Sequence, residues 1–422
     1  MSNTVPSGWS VHELGDLAHK IEGGGTPSRT EASFWNGDIP WATVKDLRAV
    51  SLRSTEEHIT ELGLKNSSSK LVPANTMIIA TRMAVGKAVF FNRDVAINQD
   101  LKAFHPKSET NWRFLLQWYL ANSEKIENLA TGSTVKGIRL DELRLLPIDL
   151  PPLPEQQKIA AILSSVDGVI EKTRAQIDKL KDLKTGMMQE LLTNGIGSDG
   201  VPHTEFKDSP VGRIPVSWKI QSLKSLCRRI TDGTHQSVKT SDSGKIPFLY
   251  VSCIRNGEIL WDKAAGLTES DYTLASKGRV ASPGDILYTA VGSYGHAALV
   301  ETDQRFSFQR HIAFIQPDKS TVDPRYLVSV LNSTLGRTQA DRFAIGNAQL
   351  TVTLGDLGTF MIPTPPLHEQ HKIAKTIGAI TSNIQEHETK LGSLLNLKKA
   401  LMQDLLTGKV RVNVGENETA VA

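Results

Sequence analysis

The stretch Pro151-Pro152-Leu153-Pro154-Glu155-Gln156-Gln157-Lys158-Ile159-Ala160 returns as Pro365-Pro366-Leu367-His368-Glu369-Gln370-His371-Lys372-Ile373-Ala374, with eight of ten positions identical at an offset of 214. The offset holds without a gap to the Leu-Leu-Thr that closes both segments. Met188-Gln189 and Leu191-Leu192-Thr193 recur as Met402-Gln403 and Leu405-Leu406-Thr407. A period this long marks duplicated domains rather than a solenoid of short units. Upstream, Trp9 pairs with Trp218 and Ile39-Pro40-Trp41 with Ile246-Pro247-Phe248. Gly86 pairs with Gly295, Gln99 with Gln309, and Ala103-Phe104 with Ala313-Phe314. Gly132 and Leu140 likewise pair with Gly346 and Leu354. The chain reads as one unit written twice: a variable globular domain, then a helical segment.

Prolines cannot lie inside a helix, so both helices are expected to start after their Pro-Pro pair. From there the apolar spacing is strictly 4-3-4-3. One seam is Ile159, Leu163, Val166, Ile170, Ile177, Leu180 and Leu191; the other is Ile373, Ile377, Ile380, Ile384, Leu391, Leu394 and Leu405. This is the a/d pattern of supercoiled helices. The two seams are expected to pack on each other, antiparallel, with Gly195 and Gly408 as helix stops. Thr173 and Lys184 interrupt one seam where His387 and Lys398 interrupt the other. Either the lysines reach out to solvent, or the polar positions set register between the helices.

The globular halves read as mixed α+β. Strands are expected at Ile78–Ala80 and Ala88–Phe91, around the Gly86 turn, and at Ile286–Tyr288 and Ala297–Val300, around Gly295. Helices are expected at Trp112–Leu120 and Pro324–Leu331. The expected division is residues 1–150 as a first globular domain, 151–195 as a helical spacer, 196–364 as a second domain and 365–410 as a second spacer. Residues 411–422 are expected to be a disordered tail.

Composition narrows the function. At 422 residues the chain holds two or three domains of roughly 100–200 residues each. It has no apolar run near the ~18 residues of a membrane span and no signal-peptide pattern at its start, so a cytosolic protein is expected. Cys227 and Cys253 are too few for a disulfide framework or a Cys-rich zinc site. The net charge of +3 is a weak argument for nucleic acid, and 17 basic against 17 acidic residues in 1–150 give no more. Any DNA surface must therefore be local. Catalytic motifs are missing. Asp149-Leu150-Pro151-Pro152 has a leucine inserted into the methyltransferase pattern, Gly23-Gly24-Gly25 lacks dinucleotide-loop spacing, and Gly86-Lys87 is no Walker A. Glu388-Thr389-Lys390 has a nuclease-like spacing but falls on a helix surface.

With the doubled Pro-Pro-Leu-x-Glu-Gln-x-Lys-Ile-Ala, its heptad helix ending in Leu-Leu-Thr, Gly24-Gly25-Thr26-Pro27-Ser28 with its counterpart Asp232-Gly233-Thr234-His235, and the linker Phe206-Lys207-Asp208-Ser209-Pro210-Val211-Gly212-Arg213-Ile214-Pro215, the chain resembles the specificity subunits of type I restriction-modification systems over nearly its whole length. The resemblance implies two target recognition domains, each reading one part of a bipartite double-stranded DNA site. They are separated by two long helices packed as an antiparallel coiled coil. It also implies two modification subunits that bring S-adenosylmethionine and the catalysis, and motor-nuclease restriction subunits for cleavage. This chain itself would be non-catalytic and hold no cofactor. An interaction scaffold that joins proteins through coiled coils without reading DNA stays open as the alternative.

Base edges are read by side chains, whereas phosphate contacts position the protein. The polar, tight-turned loops of the first half offer Thr26, Ser28, Arg29, Lys45, Arg82, Lys87, Asn98 and Gln99. Those of the second offer Thr234, His235, Gln236, Ser252, Arg255, Tyr294, His296, Gln309, Arg310 and His311. The plainer reading of Asn98 or Gln309 is a strand-end cap, and of Tyr294 a side chain packed on a turn. Trp35 and Trp41 are expected in the core.

Overall fold

The computed structural model describes residues 5–197, 200–241, 243–255, 257–347 and 349–414. The chain divides into two compact units, Met1–Arg174 with Thr389–Ala422, and Ala175–Glu388. The first is built on a five-stranded sheet in the order Ala18–Gly23, Leu101–Pro106, Met77–Ala80, Ala88–Phe91 and Ser51–Leu52. All pairings are antiparallel except the last. A four-stranded sheet, in the order Glu57–Ile59, Trp35–Ala42, Val95–Ile97 and Lys70–Val72, packs against it. Between them lie Ala42, Leu47, Val72, Ile78, Val89, Phe91 and Ile97, all buried. The alternation demanded by a two-faced strand is visible at Met77–Ala80: Ile78 enters this core while Met77 and Ile79 join the one on the opposite face.

The second unit repeats the plan. Its main sheet runs Cys227–Asp232, Ile312–Pro317, Ile286–Thr289, Ala297–Leu299, fully antiparallel. A smaller sheet, Ala265–Leu267, Ile246–Leu249, Ser307–Phe308, accompanies it. Register is preserved between the copies. Ala103 faces Glu22 and Ile78, and Phe314, one place beyond the sequence pairing with Ala313, faces Thr231 and Leu287. Ala103 and Phe314 both enter the core between the sheets, whereas Ala313 lies on the opposite face. The expected strands and the helices Trp112–Ala121 and Pro324–Leu331 are present.

The central helix spans Leu153–Thr193 and the distal helix Leu367–Leu405. Gly195 and Gly408 follow them in left-handed geometry, φ 70° and 66°. Both helices pass from one unit into the other, so the units part inside the expected spacers. The reason is core burial at their ends. Ile159, Leu163, Leu405 and Leu406 complete the core of the first unit. Leu191, Leu192, Ile373 and Ile377 complete that of the second. Within each unit the helices run antiparallel. In the first, Ile159 and Leu405 share the core while Asp167 pairs with Lys398 at 2.6 Å. In the second, Lys181 pairs with Glu388 at 2.7 Å.

All fourteen apolar seam positions are withdrawn from solvent. Val166, Leu180, Ile380, Leu391 and Leu394 are half-buried and the other nine are buried. The polar interruptions separate into two kinds. Thr173 and His387 turn back on their own helix, binding the carbonyls of Val169 (2.8 Å) and Asn383 (2.9 Å). Lys398 reaches across to the partner helix, and burial pushes the Lys184 ammonium below its ordinary value, with Glu258 and Glu388 opposing. The solvent-reaching reading therefore does not describe Lys398.

The repeated Glu-Gln is a clamp. Glu155 is buried and accepts from Trp9 Nε1 (3.1 Å) and from Arg411 Nε and Nη2 (both 2.7 Å). Glu369 accepts from Trp218 Nε1 (3.2 Å), His203 Nε2 (2.9 Å) and the Ile196 amide (2.9 Å). Gln156 Oε1 accepts from the Asn111 amide, and Gln370 Oε1 from the Asp323 amide, both at 2.8 Å. Each copy thus ties the start of a long helix to the first tryptophan of its globular domain. Arg411 belongs to this clamp, so the expected tail is anchored at its first residue; positions 415–422 lie outside the described residues.

Candidate nucleic-acid interface

At one end of the main sheet of the first unit, four loops lie side by side, joined by main-chain hydrogen bonds that continue the sheet. The loop after Ala18–Gly23 donates Gly25 N–H to Ile97 O (3.0 Å). Asp100, before Leu101–Pro106, accepts at its carbonyl from Thr81 N–H (2.9 Å). Thr81 O accepts in turn from Ile138 N–H (2.9 Å), and Lys136 O from Met83 N–H (2.9 Å). The second unit repeats the row. Thr234 N–H binds Phe308 O (2.9 Å), Ala290 N–H binds His311 O (3.0 Å), Val352 N–H binds Ala290 O (2.8 Å), and Gly292 N–H binds Leu350 O (2.8 Å).

The glycines of the first loop are required by this close approach. A Cβ on Gly24 would sit 1.8 Å from Ile97 O, and one on Gly233 2.2 Å from Gln309 O. These contacts fill with protein the space a Gly-rich nucleotide loop would keep for phosphate.

The row gathers most of the residues chosen from the sequence. Thr26 Oγ1 donates to Gln99 Oε1 (2.6 Å), leaving the Gln99 amide nitrogen at the exposed edge. In the second unit the main-chain bonds put Thr234, itself buried, in the place of Gly25 and Gln309 in the place of Asn98. Asn98 N–H binds Ala42 O and Gln309 N–H binds Leu249 O, both at 3.1 Å, so the exposed Arg310 stands where Gln99 does. Arg82 is exposed and lies 3.6 Å from Asp100. Lys102, beside it, donates to Gln99 O (2.8 Å); burial lowers its pKa, Asp100 opposes and Arg82 reinforces the fall. Arg29 pairs through two N–H groups with Glu57, one at 2.9 Å, and lies 3.8 Å over the Trp35 ring. Ser28 stands on the same loop; its carbonyl accepts from Trp35 Nε1 at 2.9 Å. Trp35 is half-exposed because it supports Arg29, unlike Trp41, which is in the core as expected and donates to Gly25 O. Lys87 donates to Leu47 O (3.3 Å), beside the short turn Val44–Asp46 that carries an exposed Lys45.

In the second unit His235 pairs with Asp232, which Arg279 also approaches at 3.6 Å. Gln236, Ser252 and Arg310 are exposed. Arg255 donates to Val251 O (3.2 Å) and Ile254 O (2.7 Å). Burial pushes the His296 imidazole down, and Arg255 and Arg337 push it further. Burial, Arg310 and His235 do the same to His311. Arg255, Arg310 and Arg337 thus stand near these two histidines, with Asp232 and Asp341 paired among the cations of the same edge.

Two chosen residues serve the protein itself. Asn98 is buried and closes its turn on Asp100, donating from Nδ2 (3.1 Å) and accepting the Asp100 amide (3.1 Å). Tyr294 is buried, donates to Asp341 (2.9 Å) and lies under Arg337. The plainer readings describe both. Sequence reasoning missed the fourth loop of each row, residues 131–137 and 345–351. The pairing of Gly132 with Gly346 was the available signal.

The row offers hydrogen-bonding groups and cations at exposed loop tips, which suits binding. The two thiols are poorly set for nucleophilic chemistry, since burial raises both and takes Cys227 to about 12. Among the described residues no group of three His, Cys, Asp or Glu is placed to hold a metal ion, and no helix is long and apolar enough to cross a membrane.

A family profile described as the type I restriction modification DNA specificity domain matches residues 6–182 and 215–396. Two curated relatives from Methanocaldococcus jannaschii are similar over 97% of this chain: the type I restriction enzyme MjaIX specificity subunit (23% identical, 95% of its length) and the MjaVIII specificity subunit (26%, 94%). The crystal structure of a type I restriction-modification S subunit from M. genitalium shares the fold, with a TM-score of 0.62 at 14% identity over 96% of this chain and 98% of that one.

Proposed function

The chain belongs to the type I restriction-modification DNA specificity family, and from that premise we propose that each of its units reads one part of a bipartite DNA site through its row of four loops. The observation that carries this reading is the repetition of the row itself. One backbone scaffold occurs twice, with the same main-chain bonds, and presents different side chains in each copy. A scaffold of that kind reads two different sequences with one geometry. Arg, Lys, Asn and Gln at exposed tips are the side chains that pair with guanine and adenine edges.

The chain contributes recognition, and the chemistry belongs to its partners. Two modification subunits dock on it and bring S-adenosylmethionine, and restriction subunits join through them. The residues around Gly24 support this assignment, because the glycine loop is packed against Ile97 and leaves no cradle for a nucleotide. The cytoplasm, where the host DNA lies, is the proposed compartment.

The test is selection from a random double-stranded DNA pool by the full chain, alone and with its modification subunits. A split motif is expected, and exchanging residues 1–150 for those of a relative should change one part of it. Folded protein that binds no DNA selectively in either format would overturn the reading in favour of a protein-joining scaffold.

A further inference from the structure

The fourth loop of each row lies between two short helices of its unit, Ser123–Asn128 and Leu140–Arg144 in the first, Thr334–Phe343 and Leu354–Gly358 in the second. Among the described residues the bonds that close it are the same in both copies. Thr131 and Gly137 exchange two N–H···O bonds of 2.9 Å, and Ile345 and Thr351 exchange two of 3.0 and 2.8 Å. Gly132 and Gly346 hold φ of 123° and 125°, a region closed to other residues. Position 136 is equivalent to 350, since both carbonyls accept from the neighbouring loop, and 135 is equivalent to 349. The side chains on this common frame differ in kind: Ser133 against Asn347, Val135 against Gln349, Lys136 against Leu350. All six are exposed.

Resting on the function proposed above, we propose that these loops are specificity determinants: Val135 and Lys136 in one unit, and Gln349 in the other, contact base edges and set part of the difference between the two half-sites. A loop needed only to brace the fold would bury its side chains, and this one buries none of the six. A surface that docked two copies of one partner protein would keep the same side chains in both units, and this one changes them. A loop touching only phosphate would keep a cation or hydroxyl in both copies, whereas Lys136 is replaced by Leu350. Differing apolar, amide and cationic groups on one rigid frame are what two different base sequences require. Lysine suits guanine, the amide of glutamine suits adenine, and an apolar side chain suits the thymine methyl.

The experiment grafts each loop tip onto the other unit in the full chain, with the modification subunits present. V135Q/K136L makes the first unit carry the chemistry of the second, and Q349V/L350K does the reverse. DNA is selected from a random pool with wild type and both variants, and thermal unfolding confirms that the variants fold. Wild type must first yield a split motif; its failure would count against the function, separately from the loops. Each variant is expected to change preference at one or two adjacent base pairs of a single half-site, by about five- to hundredfold, with the other half-site unchanged. Unchanged motifs in both variants overturn the proposal. So does a uniform loss of affinity for all sequences, which marks a phosphate contact. Lys136→Ala and Gln349→Ala, which only truncate exposed side chains, give the same readout if a double variant does not fold.

Discussion

Replacing Glu155 by alanine should loosen the first unit and leave the second intact. The side chain is 5% exposed and is the acceptor for three N–H groups, one from Trp9 and two from Arg411. The indole N–H of Trp9 is buried and has no other acceptor in the clamp, so leaving it unpaired costs about 1–3 kcal/mol. The Arg411 side chain is 44% exposed, so water takes over much of its solvation and the lost pair adds only about 1 kcal/mol. The sum, about 2–4 kcal/mol, corresponds to a fall of roughly 30- to 700-fold in hydrogen-exchange protection, read by mass spectrometry. It should appear in peptides spanning 5–14 and 406–414, with peptides from 196–218 unchanged. Glu369→Ala should show the mirror image, because Trp218, His203 and the Ile196 amide depend on it in the same way. Equal loss of protection in both units after either substitution would refute the reasoning, since it would mean the clamps are not local. No loss in either would show that the buried carboxylates are replaceable by water.

Gly24→Ala should abolish selection of one half-site while the other survives, because the new methyl meets the Ile97 carbonyl and displaces the Gln99 loop; a full motif selected by this variant would sink the idea. Ile170→Asp and Ile384→Asp each place a charge in a buried seam position and should cost about 3–5 kcal/mol, seen as lower urea midpoints with methylation of the full site lost. Unchanged midpoints would mean that these seams are not packed. Finally, His296 and His311 have folded-state pKa values below the ordinary 6.5. Between those values and 6.5 the unfolded chain binds more protons, so stability rises with pH and is complete above 6.5. The second unit should therefore weaken as the pH falls from about 7.5 to 5.5, and H296Q/H311Q should flatten that slope; a slope that persists in the double variant assigns it to other groups.

Legibility divided along the range of the interactions. The duplication, both long helices, their seams, their glycine stops and the paired strands around Gly86 and Gly295 were all readable in the chain, because each is set by local chemistry. Proline excludes helix, a 4-3-4-3 spacing puts apolar groups on one stripe, and glycine takes left-handed turns. Even so, local chemistry could not say whether Lys398 reaches solvent; only the packed helix pair puts Asp167 within 2.6 Å of it. Nor could it separate Asn98, which bonds to Asp100 two residues away, from Gln99, whose amide is left at the surface. The row of loops was the least legible part. Thr81, Asp100 and Ile138 are joined by main-chain hydrogen bonds, which carry no residue identity, so nothing in the sequence around Gly132 announces its neighbours. What the sequence determined by itself was the pair of units and their helices, since these depend on patterns repeated within one stretch of chain. Which side chains share a surface was decided only by the tertiary structure, because that depends on how distant backbone segments pair at the end of a sheet.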